Sequence, residues 1–254
     1  MSAHEVVVTG AGQGIGAATA ALFASRGWTV TVADLDGTAA RAMADRLNAD
    51  HPSSGGAHRG VGVDVTREND AREVAAALTE AGRAASALVN CAGIIARMPA
   101  EEQDTDSWNR VLTVHLTGAL NMSKALFPQL KTTGGSVVNI ASVGSTFGLP
   151  GRLAYATAKS GVMGMTRTLA VEWGRYGIRV NAVAPGYVAT EMVRSGLRTG
   201  ALSEGALLAR TPLKRLAEPE EIAAAIAFLA SDDASFVNGA MLRVDGGLTV
   251  DGTF

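Results

Sequence analysis

The 254-residue chain is poor in several things, and each scarcity excludes something. There is one cysteine, Cys91, so no internal disulfide can form, and a lone thiol fits a reducing compartment. There is little excess of charge of either sign: the net charge is −2 and no basic run occurs, which sets aside a nucleic-acid surface. There is no long apolar run. The charge-free stretch 134–151 is rich in Gly, Ser, Thr and Asn and makes a poor membrane span. The start, MSAHEVVVTG, has no basic segment ahead of its apolar run, so no signal peptide and a cytoplasmic location are expected. His4, His51 and His58 lack metal-ligand spacing with any other His, Cys or carboxylate pair, so no metal is expected.

What is present is apolar and rhythmic. Apolar residues make up 47% and charged residues 18%, enough to bury a sizeable core in one domain. Short β-branched runs at 6–9, 29–33, 61–63, 87–90, 136–140 and 179–183 alternate with alanine-rich stretches. Helices are expected near 15–26, 37–48, 67–82, 106–130, 152–175 and 219–230. Strands apolar on both faces and separated by helices predict an α/β fold: a single-domain, doubly wound parallel sheet with helices on both faces. Residues 190–217 break this rhythm with Gly196, Gly200, Gly205 and Pro212, and are expected to form a mobile lid over a substrate site.

The first strand runs into TGAGQGIG, 9–16, and then a helix. Gly10, Gly12, Gly14 and Gly16 allow a sharp turn and a close approach to a ligand, while the helix start favours a pyrophosphate. No lysine follows the glycines, so this is not a Walker A loop. Gln13 and Ile15 complete the candidate cofactor loop. Asp34, followed by Leu35, closes the second strand, where a carboxylate grips ribose hydroxyls and repels a 2′-phosphate. That favours NAD over NADP; the plain alternative for Asp34 is a turn or helix cap within DLDG. Two further strand ends on the same side, Asp64–Val65 and NCAG (Asn90, Cys91, Ala92, Gly93), are candidates for the adenine site and the cleft wall.

YATAK, 155–159, puts Tyr155 and Lys159 at i and i+4 on one helix face. A phenol has a pKa of about 10, and bringing it near neutrality takes about 4 kcal/mol of preferential phenolate stabilisation. A nearby ammonium is suited to that task. Ser142, at the end of the fifth strand, can hold an alcohol or carbonyl oxygen. The trio needs no metal: proton transfer serves the oxygen while a nicotinamide accepts hydride.

These motifs together resemble the short-chain dehydrogenase/reductase family, over nearly the whole length. TGAGQGIG is similar to its T-G-x-x-x-G-x-G, NCAG to its N-N-A-G, and YATAK to its Y-x-x-x-K, with Ser142 thirteen residues before Tyr155. The resemblance implies a Rossmann sheet, NAD as cofactor, and catalysis by Ser142, Tyr155 and Lys159. It also implies that NAVAPGYVATEM, 181–192, packs on the nicotinamide, with Pro185, Gly186, Val188 and Thr190 among the cofactor contacts. One departure stands out: the phrase VHLTG puts His115 where the family usually has a catalytic Asn. An imidazole also donates and accepts hydrogen bonds, so activity is expected to survive with an altered relay at His115; the plain alternative is a satisfied helix histidine, with the relay running otherwise.

The expected reaction interconverts a secondary alcohol, with polyols and cyclic alcohols as the candidate classes, and a ketone. The apolar substrate wall includes Ile94, Ile95, Met98, Phe147, Leu149, Tyr187, Met192 and Leu197, with Arg97, Arg152 and Arg194 as polar options. Alternatives are a 3-oxoacyl carrier-protein reductase and a non-catalytic dinucleotide sensor. FVNGAMLRVDGG, 236–247, resembles the family's interface signature, and the small residues Ala154, Ala156, Ala158, Gly161 and Gly164 suit close helix packing, so a homotetramer is expected. Neither a nucleic acid nor a membrane is expected as a partner.

Overall fold

The computed structural model describes residues 4–252. Strands β1 (Glu5–Thr9), β2 (Thr29–Asp34), β3 (Arg59–Gly62), β4 (Ala85–Asn90), β5 (Ser136–Ile140), β6 (Arg179–Pro185) and β7 (Met241–Val244) form one sheet. All neighbours are parallel, in the order β3-β2-β1-β4-β5-β6-β7. Chain order reverses between β1 and β4, and that switch point is where an open α/β sheet holds its ligand, beyond the carboxyl ends of the strands.

The helices are α1 (Gly14–Ser25), α2 (Gly37–Asp50), α3 (Glu68–Glu80), α4 (Thr105–Leu112), α5 (Gly118–Thr133), α6 (Leu153–Trp173), α7 (Glu191–Arg198), α8 (Glu204–Arg210) and α9 (Pro219–Ala230). Helices α1, α2 and α9 cover one face, where Phe23, Met43, Leu47, Ile222 and Ile226 pack on Val6, Val8 and Val30. Helices α3, α5 and α6 cover the other, where Leu78, Leu126, Leu130 and Leu169 pack on Val7, Leu88 and Val137. The central strands are therefore buried on both sides, which is why they are continuous runs of Val and Leu rather than alternating patterns.

Local chemistry sets the helix starts. Asp36 caps α2 by accepting from the backbone N–H groups of Thr38 and Ala39 at 2.9 and 3.1 Å. Pro219 opens α9, and Glu221 reaches back to the Glu218 N–H at 2.8 Å as part of a capping box. Gly16 is required in α1 because a Cβ there would lie 2.2 Å from the Gly10 carbonyl oxygen.

Two expectations need correcting. The single helix expected over 106–130 is two helices, α4 and α5, joined by a π-helical turn, Thr113–Thr117. Helix α5 begins at Gly118, where a Cβ would sit 2.6 Å from Val65 Cγ2, so only glycine fits directly after the π turn. The seventh strand, β7, was not among the expected strands. It is a half-buried edge strand of four residues, MLRV, whose sequence lacks a β-branched run. Residues 190–217, where no long helix was expected, contain two short ones, α7 and α8.

Candidate active site

The carboxyl ends of the strands open into a cavity of about 1030 Å³, large enough for a dinucleotide and a small substrate. Its floor on one side is the loop after β1, with Gly10, Gln13, Gly14, Ile15 and Gly16. Gly10 and Gly14 have φ of +63° and +57°, a backbone conformation suited to glycine. The first turn of α1 carries no acidic residue and Gln13 makes no side-chain cap, so the helix start remains open to a phosphate.

Asp34 and Leu35 line the same cavity after β2, as do Asp64 and Val65 after β3. Asp34 accepts from the Gly12 N–H at 2.8 Å through one oxygen and from the Asp36 N–H at 3.0 Å through the other. Asp36, not Asp34, caps the following helix. Gly12 thus fixes the carboxylate from behind, and an ionised carboxylate with two bonds made keeps acceptor sites for ribose hydroxyls. Asp64 is partly engaged, since one of its oxygens accepts from Thr66 N–H and Oγ1 at 3.0 and 2.7 Å.

On the far wall stand Ala92 and Gly93 after β4, Ser142 after β5, and Pro185, Gly186, Val188 and Thr190 after β6. Asn90 lies elsewhere, behind the cleft. Its Nδ2 donates to Asn139 Oδ1 at 2.9 Å and Ser123 Oγ at 3.2 Å, tying β4 to β5 and α5. Sequence reasoning had no signal for Asn139, the other half of that tie.

Tyr155, Lys159, Ser142 and His115 all face the cavity. Ser142 is buried, and its Oγ accepts from the Gly144 N–H at 3.0 Å. Lys159 is buried on α6; its Nζ donates to the Ile140 carbonyl at 2.6 Å and lies 5.6 Å from the Tyr155 ring centre. Burial brings its pKa down to about 8, partly offset by Cys91. Tyr155 is half-buried as a residue, yet desolvation of its hydroxyl dominates and pushes the phenol up from 10. A hydrogen bond with Ser142 and the charges of Arg152 and Arg97 pull the other way without prevailing, and Cys91 adds to the rise. The expected lowering by Lys159 is not found in the protein alone: the ammonium is turned to the Ile140 carbonyl, and burial raises the phenol. Cys91 is no nucleophile, since burial pushes its thiol up to about 12.

His115 sits in the π turn, with its ring edge-on to Tyr155 at 5.5 Å and 84°. Its Nε2 lies 2.8 Å from the Ile94 carbonyl and 3.3 Å from the Ile94 N–H; the shorter contact favours the proton on Nε2, which leaves Nδ1 an acceptor. Burial and the Lys159 charge bring the pKa down to about 3, so the ring is neutral at physiological pH. Gly93 exists for this ring: a Cβ there would lie 2.5 Å from His115 Cε1. Behind the trio is a second cavity of about 10 Å³, lined by Lys159, His115, Asn90 and Thr9. His115 Nδ1 and Asn90 Oδ1 are both buried without a protein hydrogen-bond partner.

A family model described as Enoyl-(Acyl carrier protein) reductase matches residues 10–249. The chain is 40% identical over 245 residues to trans-4-hydroxycyclohexanecarboxylate dehydrogenase of Sinomonas cyclohexanicum, covering 96% of this chain and 92% of that one. It is 40% identical over 248 residues to D-threitol dehydrogenase of Mycolicibacterium smegmatis, with coverage of 96% and 92%. This chain belongs to the short-chain dehydrogenase/reductase family. Among solved structures, a putative NAD(P)-dependent gluconate 5-dehydrogenase from Beutenbergia cavernae, with NADP at low occupancy, superposes with a TM-score of 0.90 at 39% identity, covering 99% of this chain and 98% of that one.

As a short-chain dehydrogenase/reductase the protein is an NAD(P)-dependent oxidoreductase acting on CH–OH groups, and the cavity fits that cofactor. The open start of α1 suits a pyrophosphate, and the carboxylate held by Gly12 suits a ribose. Pro219 and Glu220, at the start of α9, also line the cavity; no motif signalled them, and they reach it only through tertiary packing.

Proposed function

We propose that this enzyme oxidises a secondary alcohol, of the polyol or cyclic class, to a ketone with NAD, and that Tyr155 is the proton acceptor. The observation that carries the reading is the convergence of Ser142, Tyr155 and Lys159 on one cavity with the glycine loop and Asp34. When bound, the nicotinamide cofactor supplies the hydride acceptor and, in its oxidised form, a positive ring beside the phenol. Ser142 Oγ orients the substrate oxygen, and Tyr155 takes its proton as the phenolate, a form the positive ring of the oxidised cofactor would favour. Lys159 would hold the nicotinamide ribose, and the proton that Tyr155 gives up when it ionises leaves by way of Lys159. His115 Nδ1 and Asn90 Oδ1, both without a protein partner, face the same small cavity as Lys159, where one water would link the lysine to the imidazole. His115 thus replaces the family's Asn as a neutral acceptor.

Asp34 supports NAD over NADP through charge repulsion, although the Beutenbergia neighbour carries NADP. The test is a panel of polyols, cyclic alcohols and hydroxyacyl thioesters, followed by absorbance of the reduced cofactor. Oxidation of polyols or cyclic alcohols, with kcat/KM at least about tenfold higher for NAD⁺ than for NADP⁺ and the gap narrowed by Asp34→Ala, is the expected result. Activity confined to hydroxyacyl thioesters would point to the 3-oxoacyl carrier-protein reductase reading, the activity named for a 38% identical relative from Thermotoga maritima. A preference for NADP⁺ would remove the ribose argument.

The cytoplasm is the expected compartment, and α7 with α8 is the expected lid: Met192, Arg194 and Leu202 line the cavity. A homotetramer is also proposed, with light scattering as its measurement. The small residues on α6 give it less support than the sequence suggested, because Ala154 and Ala158 are buried in the protein's own core and Gly161 packs on Leu116. Better support comes from Val171 on α6 and Phe236 beside β7, which are 83% and 103% exposed.

A further inference from the structure

Two guanidiniums enter the substrate end of the large cavity without a carboxylate partner. Arg97 leaves the segment after β4 and donates from Nη2 to the Met192 carbonyl at 2.8 Å, at the start of α7. Its Nε is buried and has no hydrogen-bond partner among the described residues. Gly196 in α7 makes room for it, since a Cβ there would lie 3.1 Å from Arg97 Nη2. Arg152 stands three residues before Tyr155, donates from Nη1 to the Pro150 carbonyl at 3.0 Å, and lines the same cavity. The two cations feel each other: desolvation first, and then the charge of Arg152, make Arg97 easier to deprotonate than an ordinary arginine.

The acids around the cavity do not relieve this. Asp34 and Asp64 lie at the cofactor end, and Glu191 is paired with Arg198 on its own helix. Glu220 is the remaining lining carboxylate, and it forms no ion pair with either arginine. Where a carboxylate is in reach elsewhere an arginine takes it, as Arg83 takes Glu5, Arg72 Glu68 and Arg215 Glu221, but among the described residues no such acid stands beside Arg97 or Arg152. A half-buried guanidinium with an unused N–H beside a second guanidinium is a receptor for a planar anion, because the fork of donors matches a carboxylate.

We propose that the alcohol oxidised here carries a carboxylate, received by Arg97 and Arg152 while Ser142 and Tyr155 hold the carbinol. This rests on the dehydrogenase reading above and names its substrate class: hydroxy acids rather than neutral polyols. Because Arg97 also donates to the backbone of α7, anion binding at Arg97 would be felt directly by the segment that covers the cavity.

The experiment uses the intact enzyme with NAD⁺ and paired secondary alcohols, each a cyclic or linear hydroxy acid with its primary amide, plus neutral polyols. Acids are expected to exceed their amides in kcat/KM by about tenfold or more, mainly through KM. Arg97→Gln and Arg152→Gln should each shrink the acid-to-amide ratio by at least about fivefold, with Arg97→Lys retaining more of it than Arg97→Gln. Thermal melts check each variant, and Arg152→Gln carries the test if Arg97→Gln does not fold. Equal turnover of acids and amides, or a ratio unmoved in both Gln variants, overturns the proposal while leaving the dehydrogenase intact. Silence toward every acid, amide and polyol with either cofactor strikes the dehydrogenase reading itself, and this proposal falls with it.

Discussion

The two ends of the central strands treat buried polar groups in opposite ways. At the amino end of β1, Glu5 is 2% exposed and fully engaged: one oxygen accepts from Thr31 Oγ1 at 2.7 Å and the other from the Arg83 guanidinium. Burial still pushes its carboxyl up, with Thr31 and Arg83 offsetting part of the rise. At the carboxyl end, Asn90 Oδ1, His115 Nδ1 and Arg97 Nε are buried with bonding capacity left over. One end is closed on itself and serves stability. The other holds unused donors and acceptors in place for something that arrives later, at a cost of about 1–3 kcal/mol for each unpaired group.

The sharpest way to break this comparison is at the carboxyl end. Tyr155→Phe keeps the ring against His115 and removes the hydroxyl, so alcohol oxidation should fall about a hundred- to ten-thousandfold. Cofactor affinity, read by titration of the reduced dinucleotide's fluorescence, should stay within about twofold. Turnover equal to the parent would dismiss Tyr155 as the base.

The matching cut at the amino end is Arg83→Ala. It strands the Glu5 carboxylate inside the protein and should cost about 3–5 kcal/mol in urea melts. Turnover per folded molecule should not change. A stability loss under about 1 kcal/mol would mean that the pair behaves as an exposed one and that the amino end is less closed than its burial implies.

The third effect is pH-linked and small within any one pH unit. His115 has a pKa of about 3 in the folded protein against 6.5 for a free imidazole. Below 6.5 the unfolded chain takes up a proton that the folded one refuses, so stability falls as pH falls, by up to about 1.4 kcal/mol per pH unit until about 3. Above 6.5 this contribution is flat. His115→Asn should remove that acid slope, and an unchanged slope in melts across this range would assign it to other groups.

How much of this was written in the sequence depends on how local each feature is. Tyr155 and Lys159 were legible because helical spacing alone puts i and i+4 on one face. The glycine loop and Asp34 were legible because a turn, a helix start and a strand end follow one another along the chain. The sheet was legible from runs of Val and Leu bounded by helices, but β7, a four-residue edge strand, gave no such run. The π turn was hidden, since the apolar spacing of 106–130 reads as one continuous helix across it. Arg97 was visible only as a polar option. Its lack of a partner is a property of the cavity and not of its neighbours in the chain.

The place Gly93 leaves for the imidazole has a consequence for anyone rebuilding this site. The two positions share one volume: a methyl on the glycine would strike the ring, and an amide in place of the ring would leave a void beside the glycine. A reversion to asparagine made alone would therefore measure a gap as well as a change of chemistry. The fair comparison carries alanine at 93 as well, so that the pocket is refilled while the proton path is altered.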